Sequence, residues 1–432
     1  MKRVKLLMVF TLGIAFVASG QTIREDIAKN PDLAGGIYTA YTVTEQHATP
    51  APRGYKPFYI SHYGRHGSRY QTAAEKYTQP LEIFEQAAKD NRLTDLGRDA
   101  LRRVRIMAED AHLRNGDLTR RGEEEHRGIA ERMVETYPQV FSCKKANHVT
   151  CFSTQSVRAV LSMAAFTERL KELRPSLDVS RSASAHDFCF TKPDEGLNQI
   201  YKKARSIAKE YQKEQTDDEQ FIRRLFTDYD YAKALIRKVY NISTTHAFMG
   251  NMHDLAIIIQ NCETLDGLSL HDLFTESERF QMWHLFNIRR YLSYGPSADF
   301  GDLRNSDGKP LLRDIIERAD RVIAGETPAE AATLRFGHDA YIIPLLALLH
   351  VEGCDGRIPF SEIERLPEVW CDSRVTSMSV NVQFVFFRNR QGDVLVKLLH
   401  SEREVRIPLA TDCFPFYKWE DFRRYCVALY QE

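Results

Sequence analysis

The chain carries no surplus of charge: 59 Lys and Arg face 59 Asp and Glu. A general nucleic-acid binder needs a basic face, so that class is excluded. Any anion site must be a local gathering of arginine that the totals hide. Long apolar runs are also missing. Beyond the first twenty residues none approaches the roughly 20 needed to cross a bilayer, and no stable membrane insertion is expected. There is no CxxC pair and no regular Cys/His spacing, which argues against a structural zinc site. A glycine-rich phosphate loop of the GxxxxGK[ST] kind is absent, as are internal repeats and linkers of biased composition. The remaining composition is 43% hydrophobic, 11% aromatic and 27% charged, which rules out wholesale disorder. A length of 432 residues suits one large core, or a core with a sizeable cap.

The start of the chain reads as a separate device. Met1 to Lys5 is basic, Leu6 to Ala18 is a stretch of 13 apolar or small residues, and Ala18-Ser19-Gly20 offers a small-residue cleavage site. That order predicts a secretory signal over residues 1–20, too short for a membrane anchor and without the cysteine of a lipid anchor. Its removal leaves 56 basic residues against 59 acidic ones. The expected location is periplasmic or secreted. Cysteines at 143, 151, 189, 262, 354, 371, 413 and 426 fit an oxidising compartment and permit disulfides. Eight allow 105 pairings, among which sequence does not choose, and the plainer alternative is buried thiols.

Lys56–His62 reads as a strand, as does His148–Ser153, which leads into a helix through Leu173. Leu93–Arg114 and Leu118–Tyr137 read as amphipathic helices that open with LTDLG and LTRRG, where Thr94 and Thr119 suit N-caps. From Arg174 to Glu330 strand-like alternation gives way to charged, aromatic-rich helical stretches: Leu197–Gln212, Phe221–Tyr240, Ser277–Tyr294 and Pro310–Ala324. Strands return at Ala332–Phe336, Val380–Arg388 and Val394–His400. The pattern predicts an α/β fold, a mostly parallel sheet flanked by helices, with a helical insert or cap domain. Residues 21–173 and 331–432 would form the α/β core, and 174–330 the insert.

Arg65-His66-Gly67-Ser68-Arg69 directly follows the first strand, and ligands of open α/β sheets bind at the carboxyl ends of strands. Guanidinium forks suit the oxygens of a phosphate. A neutral imidazole is already a nucleophile, and flanking arginines favour that neutral form. Gly67 permits close backbone approach. Gly337-His338-Asp339 likewise follows a strand and precedes an apolar helix. Asp339 alone would read as a helix cap. Beside the first motif it is a candidate acid for a departing oxygen. Arg158, past the strand His148–Ser153, could complete the clamp; by itself it would be a helix-surface arginine. Asp228-Tyr229-Asp230 mimics an aspartyl-phosphatase motif, but its surroundings look helical and solvated. His62 and His66 are four apart, yet on strand and loop that spacing does not make a metal pair.

These motifs resemble the histidine acid phosphatases, in the branch that includes phytases and multiple inositol polyphosphate phosphatases. The family's RHGxRxP appears as RHGSRYQ, with Gln71 in place of the proline; its HD appears as His338-Asp339, where the inositol polyphosphate enzymes carry HAE; and its LTxxG helix start appears as LTRRG. The resemblance implies that His66 is the nucleophile that takes up the phosphoryl group. Arg65, Arg69, Arg158 and His338 would hold the phosphate oxygens, and Asp339 would protonate the leaving oxygen and then assist water. It implies no metal or other cofactor, a small-molecule phosphate ester as the only partner, and an acidic optimum. The oligomeric state stays open. Tyr70, the long insert and the signal are similar to the inositol polyphosphate enzymes and point to phytate. The HD dipeptide leaves open a broad acid phosphatase, for instance of sugar phosphates. A non-catalytic phosphoryl-binding protein on the same scaffold is the further alternative. Cysteine-dependent phosphatases are excluded, because no cysteine stands at the required distance before an arginine.

Overall fold

The computed structural model describes residues 17–43, 48–188 and 195–431. The expected signal segment lies outside them up to residue 16. No described helix is long and apolar enough to cross a membrane.

Among the described residues eight strands form one sheet: β1 (Lys56–Arg65), β2 (His148–Ser153), β3 (Asp178–Ser182), β4 (Glu330–Gly337), β5 (Asn381–Arg388), β6 (Val394–His400), β7 (Arg403–Glu404) and β8 (Phe416–Lys418). Their order is β3-β2-β4-β1-β5-β6-β7, with β8 also on β6. The half β3-β2-β4-β1 is parallel. From β1 onward the pairings with β5 and β6 and on to β7 and β8 are antiparallel. The switch follows from connection length: a parallel neighbour needs a long crossover, whereas only five residues (389–393) separate β5 from β6. β1 and β4 are buried along almost their whole length, as strands covered on both faces must be.

Helices Arg120–Thr136 and Val157–Leu173 cover one face, packing Ile129, Met133, Phe166 and Leu170 on Ile60, Leu334 and Val385. Lys309–Ala324, Asp339–Leu348 and Trp419–Gln431 cover the other, with Leu312, Ile316, Ile343 and Phe422 against Tyr59, Val382 and Phe384. A third apolar cluster joins Phe84, Leu101 and Val104 to Phe221, Phe248 and Met252. Helices Glu75–Lys89 and Asp95–Asp110 therefore pack with those of 219–258 away from the sheet.

The segment 174–330, expected to be a helical insert, contributes a strand. β3 is a short, largely exposed edge strand of sequence DVSRS, with no apolar alternation to betray it. Helix Lys309–Ala324, expected within the insert, lies on the sheet. The stretch Phe221–Tyr240 is two helices, Glu219–Leu225 and Tyr229–Tyr240. Asp228 caps the second by accepting from Tyr231 N at 3.1 Å, which accounts for the first aspartate of the DYD triplet. Thr94 and Thr119 accept from Gly97 N and Gly122 N at 3.0 and 3.2 Å, so both LTxxG starts are capped helices. Seven cysteines are described and all are free thiols, five of them buried. The permitted disulfides are thus absent among the described residues, and Cys189 lies outside them.

Candidate active site

Topology alone brings the motifs together. β4 lies between β1 and β2, and the three run parallel. The register pairs Arg65 with Gly337 and Ser153 with Phe336. Each strand ends at the same edge, so His66, His338 and the segment leading to Arg158 leave the sheet side by side.

The loop after β1 is locked by a helix start. Thr119 N and Thr119 Oγ1 donate to Ser68 O at 2.9 and 3.1 Å, while the same hydroxyl caps Gly122 N. Contact is so close that a Cβ on Gly67 would lie 2.4 Å from Gly122 O, and one on Gly122 would lie 2.3 Å from Ser68 O. Two glycines facing one another explain both the RHG and the LTxxG patterns. Ser162 Oγ accepts from Gly67 N at 3.1 Å.

His66 is buried, with 2% of its surface exposed. Its Nδ1 is 2.9 Å from Gly67 O. A carbonyl only accepts, so Nδ1 carries the proton and the lone pair belongs to Nε2. Burial and the positive charges of Arg65, Arg69 and Arg158, with His338, hold the ring well below the usual imidazole range, so it is neutral. The His338 ring stands edge-on at 5.4 Å between centroids. His338 Nε2 is 3.2 Å from Thr154 Oγ1, and burial and Arg158 lower its pKa to about 4. Tyr63 Oη accepts from His338 N at 3.1 Å and fixes the turn after β4.

Arg65 is 1% exposed. It donates from Nη1 to Ile37 O and Ser377 O, and its Nε lies 3.9 Å from Asp339 Oδ1. Arg69 donates to Tyr70 O at 2.7 Å and sits over the Tyr38 ring at 5.1 Å. Burial and Arg69 together lower Arg158 from the ordinary guanidinium value, because the two cations crowd one another.

Asp339 opens helix Asp339–Leu348, whose start makes no side-chain cap bond. Its carboxylate instead meets Arg65 and Arg290, with Arg290 Nη1 3.3 Å from Oδ2. Burial would raise this carboxyl, but Arg65, Arg290, His338 and Arg69 outweigh it and hold it well below the usual range. Asp339 is therefore ionised.

Arg290, Tyr38 and Glu125 were not anticipated from sequence. Arg290 lies mid-helix in Glu276–Tyr294 and is flanked by the rings of Phe286 and Tyr294. The Arg289-Arg290 pair in an aromatic helix was the available signal. His62, the other half of the His62/His66 spacing, is buried against Phe166 and Phe336.

Beside the site a cleft of about 440 Å³ is lined by Lys76, Arg205, Lys209, His246, Asp254 and Arg289, among others. It adjoins the cage through Phe286, packed against Tyr38 at 5.7 Å, and through Gln71, which donates to Asp254 O at 2.9 Å. Lys76 is paired with Asp254. Arg289 feels the charge of Asp254, which also lines the cleft.

Three arginines, two imidazoles and a carboxylate gather at the ends of adjacent parallel strands of an α/β fold. Residues 64–401 match the model of the histidine phosphatase superfamily, branch 2, and the chain belongs to that family. It is a phosphatase, a phosphomonoester hydrolase. No curated protein matches it in sequence. Among solved structures, the multiple inositol polyphosphate phosphatase of Bifidobacterium longum in complex with phosphate superposes with a TM-score of 0.79 at 17% identity, covering 92% of this chain and 98% of that one. The same enzyme with inositol hexasulfate gives 0.76 at 18%, covering 90% and 96%. The phytase from D. castellii gives 0.61 at 14%, covering 92% and 85%. At these identities the likeness establishes the fold.

Proposed function

We propose that this phosphatase is an exported enzyme that hydrolyses inositol polyphosphates, phytate foremost, through a phosphohistidine at His66. The observation that carries the substrate choice is the basic cleft beside the cage. Arg289, Lys209 and Arg205, the last donating to Tyr201 Oη, offer positive charge to phosphates other than the one being cleaved. A monophosphate would leave that charge unused. The fold neighbour from B. longum was solved with inositol hexasulfate, a polyanion of the same shape class. Export rests on the order of basic, apolar and small residues in 1–20. Helices 195–305 act as the cap that selects substrate.

In the proposed reaction Nε2 of His66 attacks phosphorus in line with the ester oxygen. The P–O bond breaks as the N–P bond forms, and the leaving oxygen takes the proton from Asp339. Arg65, Arg69, Arg158 and His338 hold the other phosphate oxygens as charge develops. Water then gives a proton to the Asp339 carboxylate and attacks phosphorus, freeing phosphate and restoring the neutral imidazole. A dianionic phosphoryl group offsets the arginines that keep Asp339 ionised, so substrate binding and proton uptake are linked.

The test compares phytate, glucose 1-phosphate and p-nitrophenyl phosphate at pH 5, with and without EDTA, for the wild type and for Arg205→Ala/Lys209→Ala/Arg289→Ala. The wild type should have its highest kcat/KM on phytate, undiminished by EDTA. The triple variant should lose at least about tenfold on phytate and little on p-nitrophenyl phosphate. Preference for glucose 1-phosphate would return the reading to a broad acid phosphatase. No turnover, with His66→Ala indistinguishable from wild type, would make it a binding protein.

A further inference from the structure

Behind the nucleophile loop lies a carboxylate with no place in the reaction above. Glu125, on the second turn of helix Arg120–Thr136, accepts four hydrogen bonds from three distant segments. Oε1 accepts from Ser68 Oγ at 2.6 Å and from Tyr41 N at 3.0 Å. Oε2 accepts from Ser68 N at 2.9 Å and from Ser379 Oγ at 2.7 Å. Ser379 is fully buried and holds a left-handed backbone, φ +52°, without being glycine. Such a conformation costs of order 1 kcal/mol or more and persists only where its surroundings enforce it. Its N–H donates to His66 O at 3.2 Å, and Arg65 N donates to Val380 O at 2.9 Å. Arg65 Nη1 reaches Ser377 O. The segment 377–380 is thus the splint of the Arg65-His66 backbone, and Glu125 ties that splint to the loop it supports.

We propose that Glu125 is the positioning residue of the nucleophile: it fixes the His66 main chain, and with it the line along which Nε2 meets phosphorus. The proposal rests on His66 being the nucleophile. A carboxylate is required because each of its oxygens receives one main-chain N–H, which cannot turn round. A glutamine in either orientation would set its NH₂ against the N–H of Ser68 or of Tyr41. Glu125→Gln is therefore nearly isosteric yet breaks the knot. Small misplacements of reacting groups cost up to about 100-fold in rate.

The experiment measures kcat on p-nitrophenyl phosphate per competent site, with sites counted by stoichiometric binding of vanadate, a phosphate analogue. For Glu125→Gln, vanadate should still bind one per chain, while kcat per site falls about 10- to 100-fold and KM changes much less. Ser379→Ala and Ser68→Ala each remove one hydroxyl donor to the same carboxylate. They should lower kcat by smaller factors, and Glu125→Gln/Ser379→Ala should fall short of the product of its two single effects. These serine variants carry the test if Glu125→Gln does not fold. A kcat per site within twofold of wild type in the folded variants would overturn the proposal, as would losses accounted for wholly by fewer vanadate sites. Failure of the phosphatase reading itself would look different: the wild type would not turn over.

Discussion

Removing Arg290 should move the pH dependence of catalysis in a defined direction. Its Nη1 lies 3.3 Å from Asp339 Oδ2, with Arg65 Nε 3.9 Å from the other oxygen. At an effective dielectric constant near 20, two unit charges at that separation interact by about 5 kcal/mol, an upper bound on the contribution. A cation at this range typically depresses a carboxyl by about 1–3 pH units. Arg290→Met keeps an unbranched chain between Phe286 and Tyr294 and deletes only the charge. Asp339 then holds its proton to higher pH. The assay is kcat against pH for phenyl phosphate, whose poor leaving group needs the acid, because kcat reports the substrate-bound enzyme in which Asp339 holds its proton. The alkaline limb should shift upward by about 1–3 units, whatever happens to the height of the profile. A limb that stays in place, or moves down, in a folded variant would refute the assignment of Asp339 as the acid held by Arg290.

Asp339→Asn should slow alkyl phosphates by about 10²–10⁴-fold and p-nitrophenyl phosphate far less, as steady-state rates on the two esters will reveal; equal losses would reduce Asp339 to a structural role. Gly67→Ala and Gly122→Ala each drive a methyl into backbone within 2.4 Å, and urea melts should register losses of about 1–3 kcal/mol. His62, buried and uncharged, has its pKa lowered to about 3 by burial, His126 and Arg335. The unfolded chain binds a proton there below about pH 6.5, so stability falls as pH drops from there towards 3, by about 2 kcal/mol at pH 5 from this residue. His62→Leu should flatten that slope in urea midpoints taken between pH 4 and 7, and an unchanged slope would contradict it.

The sheet and its site were legible where residue patterns are strong. The strands His148–Ser153 and Val394–His400 were read to the residue, because each combines β-branched or apolar residues with a clear stop. The capped helix starts at Thr94 and Thr119 were equally plain. The edge strand β3 was hidden because an exposed edge needs no apolar alternation. Phe221–Tyr240 kept an amphipathic pattern across a break that tertiary packing imposes. Of the site, the two motifs at the ends of β1 and β4 stood out because their chemistry is concentrated in a few consecutive residues. Arg290 and Glu125 did not. Each is one charged residue in a helix rich in charge, and its meaning comes only from what the fold sets opposite it. The Asp339 carboxyl shows the same limit: sequence suggests an acid that begins protonated, whereas the arginines the fold sets around it hold it ionised.

The central claim is a covalent bond between phosphorus and one imidazole nitrogen. Enzyme mixed with substrate, quenched in alkali to preserve phosphohistidine and mapped by peptide mass spectrometry, should carry a single phosphate on His66, absent from His66→Ala. Full turnover by an enzyme with no trapped phosphate, or with phosphate on another residue, would contradict the account.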